Sequence, residues 1–153
     1  MQFSNTVIME NDSIQILHKE IDLIQSVITR MQNNSFLIKA WFITLASVLL
    51  AITKDTIVLS EPYSCAIILF PLILFWYLDA YFLHKEKCYR KLYSWVVQNR
   101  STTNAHLYDL DYKRFESSVP NVGKIMFTET LWPFYGLVAV LLVGITIYNF
   151  MPN

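Results

Sequence analysis

Asp79 is the one charged residue in the apolar stretch from Ser64 to Leu83. A carboxylate within a segment that could enter a bilayer is a candidate functional group, because a charge in hydrocarbon is costly unless it is paired or lines a pathway. Two roles are open. Asp79 precedes Leu83 by about one helical turn, so it could pair at the membrane surface with Lys85 or with a neighbouring subunit. It could also line or gate a pore, as rings of charged side chains do in channels.

A basic segment follows directly and supplies cations that could bind an anion. The candidate contacts for an anionic ligand or anionic lipid are Lys85, Lys87, Arg90, Lys91 and Arg100. Tyr89, Tyr93 and Trp95 are interleaved with these cations and could stack on the base of a nucleotide. Fixing the membrane topology and binding a partner protein are the other roles open to this segment.

The sequence contains no recognisable catalytic motif. HExxH, CxxC, GxSxG, phosphate-loop and dinucleotide patterns are all missing from it. His84 and Cys88 stand four residues apart, a spacing that a metal could use, but two ligands do not make a site. We therefore predict a protein that is not an enzyme and that uses no cofactor or metal, with His84 and Cys88 as surface residues beside the membrane.

Three apolar segments predict helices that cross a membrane. Residues 36–53 contain Lys39 as their one charge, residues 64–83 contain Asp79, and residues 131–150 contain none. At about 1.5 Å per residue, each helix would be roughly 27–30 Å long, which matches a bilayer core. With a cytoplasmic N-terminus, all lysines and arginines except Lys54 lie on the cytoplasmic side, so the positive-inside rule predicts three spans with the C-terminus outside.

Aromatic residues near the ends of these segments predict contact with the membrane surface. Trp41 lies near the start of the first segment, and Trp132 and Tyr135 lie near the start of the third. Tryptophan and tyrosine concentrate at lipid–water interfaces. Lys39 is close enough to the same end for its ammonium group to reach the lipid headgroups.

An amphipathic helix is predicted before the first span, beginning near Asp12 or Ser13. Its apolar residues recur at alternating intervals of three and four, as in the seam of a coiled coil. These seam residues are Ile14, Leu17, Ile21, Ile24, Ile28 and Met31. If the seam joins subunits, its isoleucines favour a trimer or tetramer; the alternative is a helix that packs against its own chain. Asn33 to Ser35 then form either a hinge or a turn within one long helix.

Together these elements predict an all-α integral membrane protein with three transmembrane helices, an N-terminal coiled-coil-like cytoplasmic helix and a cytoplasmic helical connector. In the connector, the second span continues as a helix to about Asn99, and residues 106–118 form a short helix. The predicted parts of the chain are 1–35, 36–83, 84–130 and 131–153.

Two stretches, RMQNNSFLIKAWFITL and FWYLDAYFLHKEKCYRKLY, resemble a group of small bacterial membrane proteins. The matching positions are Arg30, Met31, Asn34, Ser35, Phe36, Lys39 and Trp41, then Phe75, Trp76, Leu78, Asp79, Tyr81, Arg90, Lys91, Leu92 and Tyr93. The group includes transmembrane effectors of antiphage defence, such as the membrane component of the Hailong system. The resemblance implies an oligomeric channel of the inner membrane, which an oligonucleotide made by a partner nucleotidyltransferase keeps shut or opens.

Two functions follow as expectations. The first is a homo-oligomeric membrane effector whose pore is gated by an anionic ligand or a partner on the cytoplasmic side. The alternative is a non-conducting membrane anchor that recruits a cytoplasmic partner. Neither requires binding to duplex DNA.

Overall fold

The computed structural model describes the backbone of residues 2–53 and 64–150 and the side chains of residues 13–49, 51 and 69–144. Its elements are α1 (Gln2–Thr53), α2 (Ser64–Asn99), a 3-10 helix (Tyr112–Ser118), α3 (Val122–Met126) and α4 (Trp132–Phe150). These ranges contain no strand, which confirms the all-α class. The predicted turn between the first two spans, residues 54–63, lies outside the described residues.

α1 is one helix of 52 residues. The predicted start near Asp12 or Ser13 is wrong, because the helix already begins at Gln2. Asn33 to Ser35 continue the helix, so they form a turn within it and not a break. Their low helix propensity costs at most about 0.7 kcal/mol per residue, which is small beside the packing of a long helix.

The chain divides into two compact units. Both α1 and α2 are shared between them, with one part of each helix in each unit. Unit 1 comprises Met1–Gln32 and Lys85–Val119, and unit 2 comprises Asn33–His84 and Pro120–Asn153. The predicted division into residues 1–35, 36–83, 84–130 and 131–153 stays a prediction.

Unit 1 is held together by an apolar cluster between α1 and α2, which run antiparallel within it. Ile24, Leu92 and Val96 are fully buried at its centre. The partly buried residues around them are Leu17, Ile21, Ile28, Tyr89, Tyr93, Trp95, Leu110 and Phe115. Full burial of an aliphatic side chain contributes about 1.5–3 kcal/mol, so this cluster provides the main apolar core of unit 1.

The connector that follows α2 is less helical than predicted. Only Tyr112–Ser118 form a 3-10 helix, which begins where the Asp111 side chain accepts a hydrogen bond from the Lys113 N–H group. Between Arg100 and this helix, the loop contains His106 and Tyr108 with φ values of 57° and 56°. His106 and Tyr108 are therefore not helical, and the helix predicted over residues 106–118 is confined to Tyr112–Ser118.

Unit 2 packs parts of α1 and α2 with α3 and α4 around aromatic side chains. The Phe42 ring lies 5.8 Å from that of Phe75 and 5.6 Å from that of Tyr135. Trp76 stacks on Tyr135 with ring centroids 5.8 Å apart. Leu131 is fully buried beside the start of α4.

The outer surface of unit 2 is also rich in apolar side chains. The large exposed residues are Phe36, Leu37, Trp41, Ile43, Leu45, Val48, Phe70, Ile73, Leu74, Tyr77, Tyr81, Phe127, Trp132, Leu137, Val140, Leu141 and Val143. Within the part of the chain that the structure describes, none of the helices reaches both the length and the apolarity that crossing a membrane requires.

Candidate functional site: a buried polar centre and a basic helix face

Asp79 lies at the centre of a buried polar group in unit 2. Its side chain has no exposed surface, and the Lys39 ammonium nitrogen lies 2.5 Å from its Oδ2 atom. The Tyr135 hydroxyl donates a hydrogen bond to the same oxygen at 3.0 Å, and the Ser35 hydroxyl donates to Oδ1. Lys39 also donates to the Ser35 hydroxyl at 3.0 Å. We call Ser35, Lys39, Asp79 and Tyr135 the polar centre.

Helical spacing explains how the polar centre assembles. Ser35 and Lys39 are four residues apart on α1 and therefore share a face. Asp79 meets them from α2, and Tyr135 comes from the first turn of α4. A buried carboxylate with one cation and two hydroxyl donors has its hydrogen-bonding needs met, so the polar centre joins three helices.

The structure gives these residues partners within the same chain. Within this chain, the ion-pair partner of Asp79 is Lys39 and not the predicted Lys85, and pairing of Asp79 with a neighbouring subunit stays a prediction. Lys39 points to this carboxylate, although its side chain keeps a quarter of its surface exposed. Tyr135 is fully buried against its own chain, and its predicted place at the level of a membrane surface stays a prediction. The role of Asp79 in a pore stays a prediction.

The basic segment lies on α2 in unit 1, where its residues have different surroundings. Lys85 donates a hydrogen bond to the Tyr112 hydroxyl, and its ammonium nitrogen lies 4.0 Å from the centre of that ring. Arg90 is well exposed and donates through Nε to Glu86 at 2.8 Å. Lys87 is half-buried and Lys91 is exposed.

We call the exposed surface of α2 around Arg90 and Lys91 the basic face of unit 1. Arg90 and Tyr93 line an open cavity of about 260 Å³ there. Gln25, Ile28 and Thr29 of α1 complete its lining. A guanidinium group, a phenol ring, an amide and a hydroxyl can together bind an anion that has a planar or apolar body. The structure thus brings together one predicted cation and one predicted stacking residue.

Arg100 is not part of this basic face. Its side chain is only 3% exposed, and its Nε and Nη2 atoms donate to the two carboxylate oxygens of Glu20 at 2.7 and 2.6 Å. Nη1 donates to the carbonyl oxygens of Thr103 and Ala105 at 3.0 and 2.9 Å, and Nη2 also approaches that of His106. A ligand could reach this guanidinium only by replacing these bonds, so Arg100 acts here as a structural residue.

The seam residues of α1 face α2 of the same chain. Ile24 is fully buried against Leu92 and Val96, and Leu17, Ile21 and Ile28 border the same cluster. At the ends of the seam, Ile14 is exposed and Met31 is half-buried. This is the arrangement expected of an amphipathic helix that packs against its own chain. Oligomerisation through the seam stays a prediction.

His84 and Cys88 are buried, so their prediction as surface residues is wrong. The described residues contain no group of three or more histidine, cysteine or acidic side chains that could hold a metal. Burial raises the pKa of the Cys88 thiol, and the nearby Glu116 carboxylate raises it further, while Lys85 opposes the shift. Cys88 is therefore a poor nucleophile and a poor metal ligand at neutral pH.

Sequence reasoning did not assign four residues to the polar groups in which the structure places them: Ser35, Lys39, Glu20 and Tyr135. The spacing of Ser35 and Lys39 could have predicted their contact with α2, since both lie on the helix face that also carries Phe42 toward α2. No sequence pattern could have predicted the partners of Glu20 and Tyr135, because each binds a residue that is distant in sequence. Glu20 binds Arg100, and Tyr135 binds Asp79.

No protein-family model, curated protein or solved structure matches this chain. What bears on its function is therefore the polar centre, the outer surface of unit 2 and the basic face of unit 1.

Proposed function

We propose that this protein is a multi-pass effector of the bacterial inner membrane. In this proposal unit 2 lies in the bilayer and several copies form a pore, while unit 1 lies on the cytoplasmic side and binds the anionic ligand or partner that gates it. The observation that carries the proposal is the distribution of polarity in unit 2.

Unit 2 has an ion pair inside and many large apolar side chains outside. Its buried ion pair joins Lys39 and Asp79, whereas Phe36, Phe70 and Val140 are at least 70% exposed. Proteins in water show the opposite trend, with charged groups at the surface and small apolar patches. In lipid, ionisable residues face the interior of a helix bundle and pair with one another, so the polarity of unit 2 fits a lipid environment.

The basic face of unit 1 supports ligand control of the pore. The exposed guanidinium group of Arg90 and the ring of Tyr93 line one cavity, and Lys91 is exposed on the same helix. The resemblance to antiphage effectors makes an oligonucleotide from a partner nucleotidyltransferase the ligand to test first. The same resemblance supports a homo-oligomer.

A second function, a non-conducting membrane anchor, is favoured by one observation. Both carboxylate oxygens of Asp79 accept hydrogen bonds or an ion pair from the same chain, and the residue is fully buried. An acid in this state serves to hold helices together, and this role needs no pore. An anchor would use unit 2 for membrane attachment and unit 1 to recruit a cytoplasmic partner.

Conductance of the purified protein in a planar bilayer distinguishes these functions. Short oligonucleotides are added to the cytoplasmic side of the wild type, of Arg90→Gln and of the control Lys113→Gln, which changes an exposed lysine outside the cavity. Discrete currents that an oligonucleotide alters in the wild type and the control, but not in Arg90→Gln, support the gated pore.

The other results are equally informative. Silence from folded, oligomeric protein in the bilayer favours the anchor. Release of the protein from membranes by alkaline carbonate, which removes peripheral proteins, contradicts both functions.

A further inference from the structure

We infer that Trp41, Phe127 and Trp132 form a single aromatic belt at the lipid–water interface of one leaflet. This inference rests on the proposed membrane location of unit 2. The inference specifies where along unit 2 the surface of the bilayer lies.

Contacts with Tyr135 place the two tryptophans at a common level in unit 2. Phe42, the residue after Trp41 on α1, has its ring 5.6 Å from that of Tyr135. On the other side, Trp76 stacks on Tyr135, and the Trp132 ring lies 5.9 Å from that of Trp76. Because neighbouring residues of a helix differ by only about 1.5 Å in height, Trp41 and Trp132 lie at similar heights around one buried ring.

The polarity of the exposed residues changes around Trp132 in the order expected at a membrane surface. Lys124, Glu129 and Thr130 are exposed beside it, and the neighbouring Phe127 ring is 66% exposed. Further along α4, the large exposed residues are aliphatic: Leu137, Val140, Leu141 and Val143. Charged groups, then aromatic rings, then aliphatic side chains are the sequence from water through the interface into hydrocarbon.

The belt residues near α4 are held in fixed positions. The Trp76 indole N–H donates to the Met126 carbonyl oxygen at 2.9 Å, and its ring lies 5.4 Å from Phe127. The Phe127 and Trp132 rings are 5.9 Å apart. Since the junction of α3 and α4 is attached to α2 in this way, these rings are presented by a packed structure.

Lys39 agrees with the level that the belt defines. It precedes Trp41 by two residues, and a quarter of its side chain remains exposed beside Asp79. A lysine at the depth of the belt can keep part of its stem in apolar surroundings while its ammonium group stays near headgroups. The polar centre would therefore lie close to the membrane surface and not at the bilayer midplane.

Fluorine NMR of the full chain in lipid nanodiscs tests the belt. All four tryptophans are replaced biosynthetically by fluorotryptophan, and each signal is assigned by its loss in a Trp→Phe variant. Line broadening is then compared for lipids spin-labelled at the headgroup, for lipids labelled at the end of the acyl chain, and for a water-soluble paramagnetic agent. Two tryptophans provide internal controls. Trp76 is buried inside unit 2, and Trp95 belongs to unit 1.

We expect the headgroup label to remove most of the Trp41 and Trp132 signals and the chain-end label to broaden them much less. Trp95 should respond to the water-soluble agent and not to the chain-end label. Stronger broadening of Trp41 or Trp132 by the chain-end label would overturn the belt but leave the membrane location intact. If neither lipid label affects either tryptophan, the membrane location of unit 2 fails as well.

Discussion

Arg100 and Glu20 are 80 residues apart in the chain and form a buried ion pair, with Nη2 and Oε1 2.6 Å apart. The same Glu20 oxygen accepts a hydrogen bond from the Tyr108 N–H group at 3.2 Å. The pair therefore fastens the loop after α2 to α1. It also explains how His106 and Tyr108 keep a left-handed backbone, which costs roughly 1–3 kcal/mol per residue.

Arg100→Met should strongly destabilise unit 1. It leaves the Glu20 carboxylate buried with only the Tyr108 N–H group as a donor, so we expect the free energy of unfolding to fall by about 3–5 kcal/mol. Hydrogen exchange of the Tyr108 amide should accelerate as well. Chemical unfolding of the detergent-solubilised protein measures the first effect.

Arg90→Met is the matched control for this substitution. It removes an ion pair in which the guanidinium group is 57% exposed and the Glu86 side chain is 9% exposed. Glu86 keeps a hydrogen bond from the Gln32 side chain at 3.2 Å, so we expect a loss of about 1–3 kcal/mol, smaller than that of Arg100→Met. Equal losses in the two variants would show that the burial of Arg100 has no energetic consequence, contrary to the structure.

Ile24→Ala tests whether the seam of α1 packs within one chain. Ile24 is fully buried against Leu92 and Val96, so its truncation should lower the free energy of unfolding by about 2–5 kcal/mol. The loss should not depend on protein concentration, because the partners belong to the same chain. The adjacent, exposed Leu23 provides the control: Leu23→Ala should change stability by about 0.5 kcal/mol or less. A loss that disappears at high concentration would instead assign the seam to subunit contacts.

The Cys88 thiol should react slowly in the folded protein. Its buried position raises its pKa, so the reactive thiolate is scarce at neutral pH. A raised pKa also means that the stability gained from the neutral thiol is present at neutral pH and is lost as the pH rises through the folded-state pKa in the alkaline range. In a Cys65→Ser background, we expect maleimide labelling to be slow before unfolding and rapid afterwards.

A cysteine introduced at an exposed position of the same helix provides the comparison. Val97 is 48% exposed, so Val97→Cys in a background that lacks both native cysteines should label rapidly while the protein is folded. Similar rates at the two positions would contradict the burial of Cys88.

The sequence predicted the helices and singled out Asp79, but it could not predict the partners of the buried charges. Asp79 is conspicuous because it is the one charge in an apolar segment. Its pairing with Lys39 depends on how α1 and α2 are aligned, which helical periodicity does not determine. The same limit misplaced Arg100: a local run of cations does not reveal that Glu20, far upstream, lies against one of them. Periodicity likewise located the apolar seam but could not say whether its partner was another chain or α2.

The pairing of Lys39 with Asp79 makes an asymmetric prediction for single substitutions. Lys39→Met removes the cation from a carboxylate with no exposed surface, so we expect it to lower the free energy of unfolding by about 3–5 kcal/mol. Asp79→Asn should cost less, because no buried charge is left unpaired. The amide oxygen can accept from one of the two hydroxyls, which reach different oxygens of Asp79, while the amide NH2 can donate to the other hydroxyl, and Lys39 is partly exposed. The double variant should be more stable than Lys39→Met alone, because it contains no unpaired buried charge. Additive losses in this double-mutant cycle would mean that the two side chains do not interact, and would remove the ion pair as the reason for placing unit 2 in lipid.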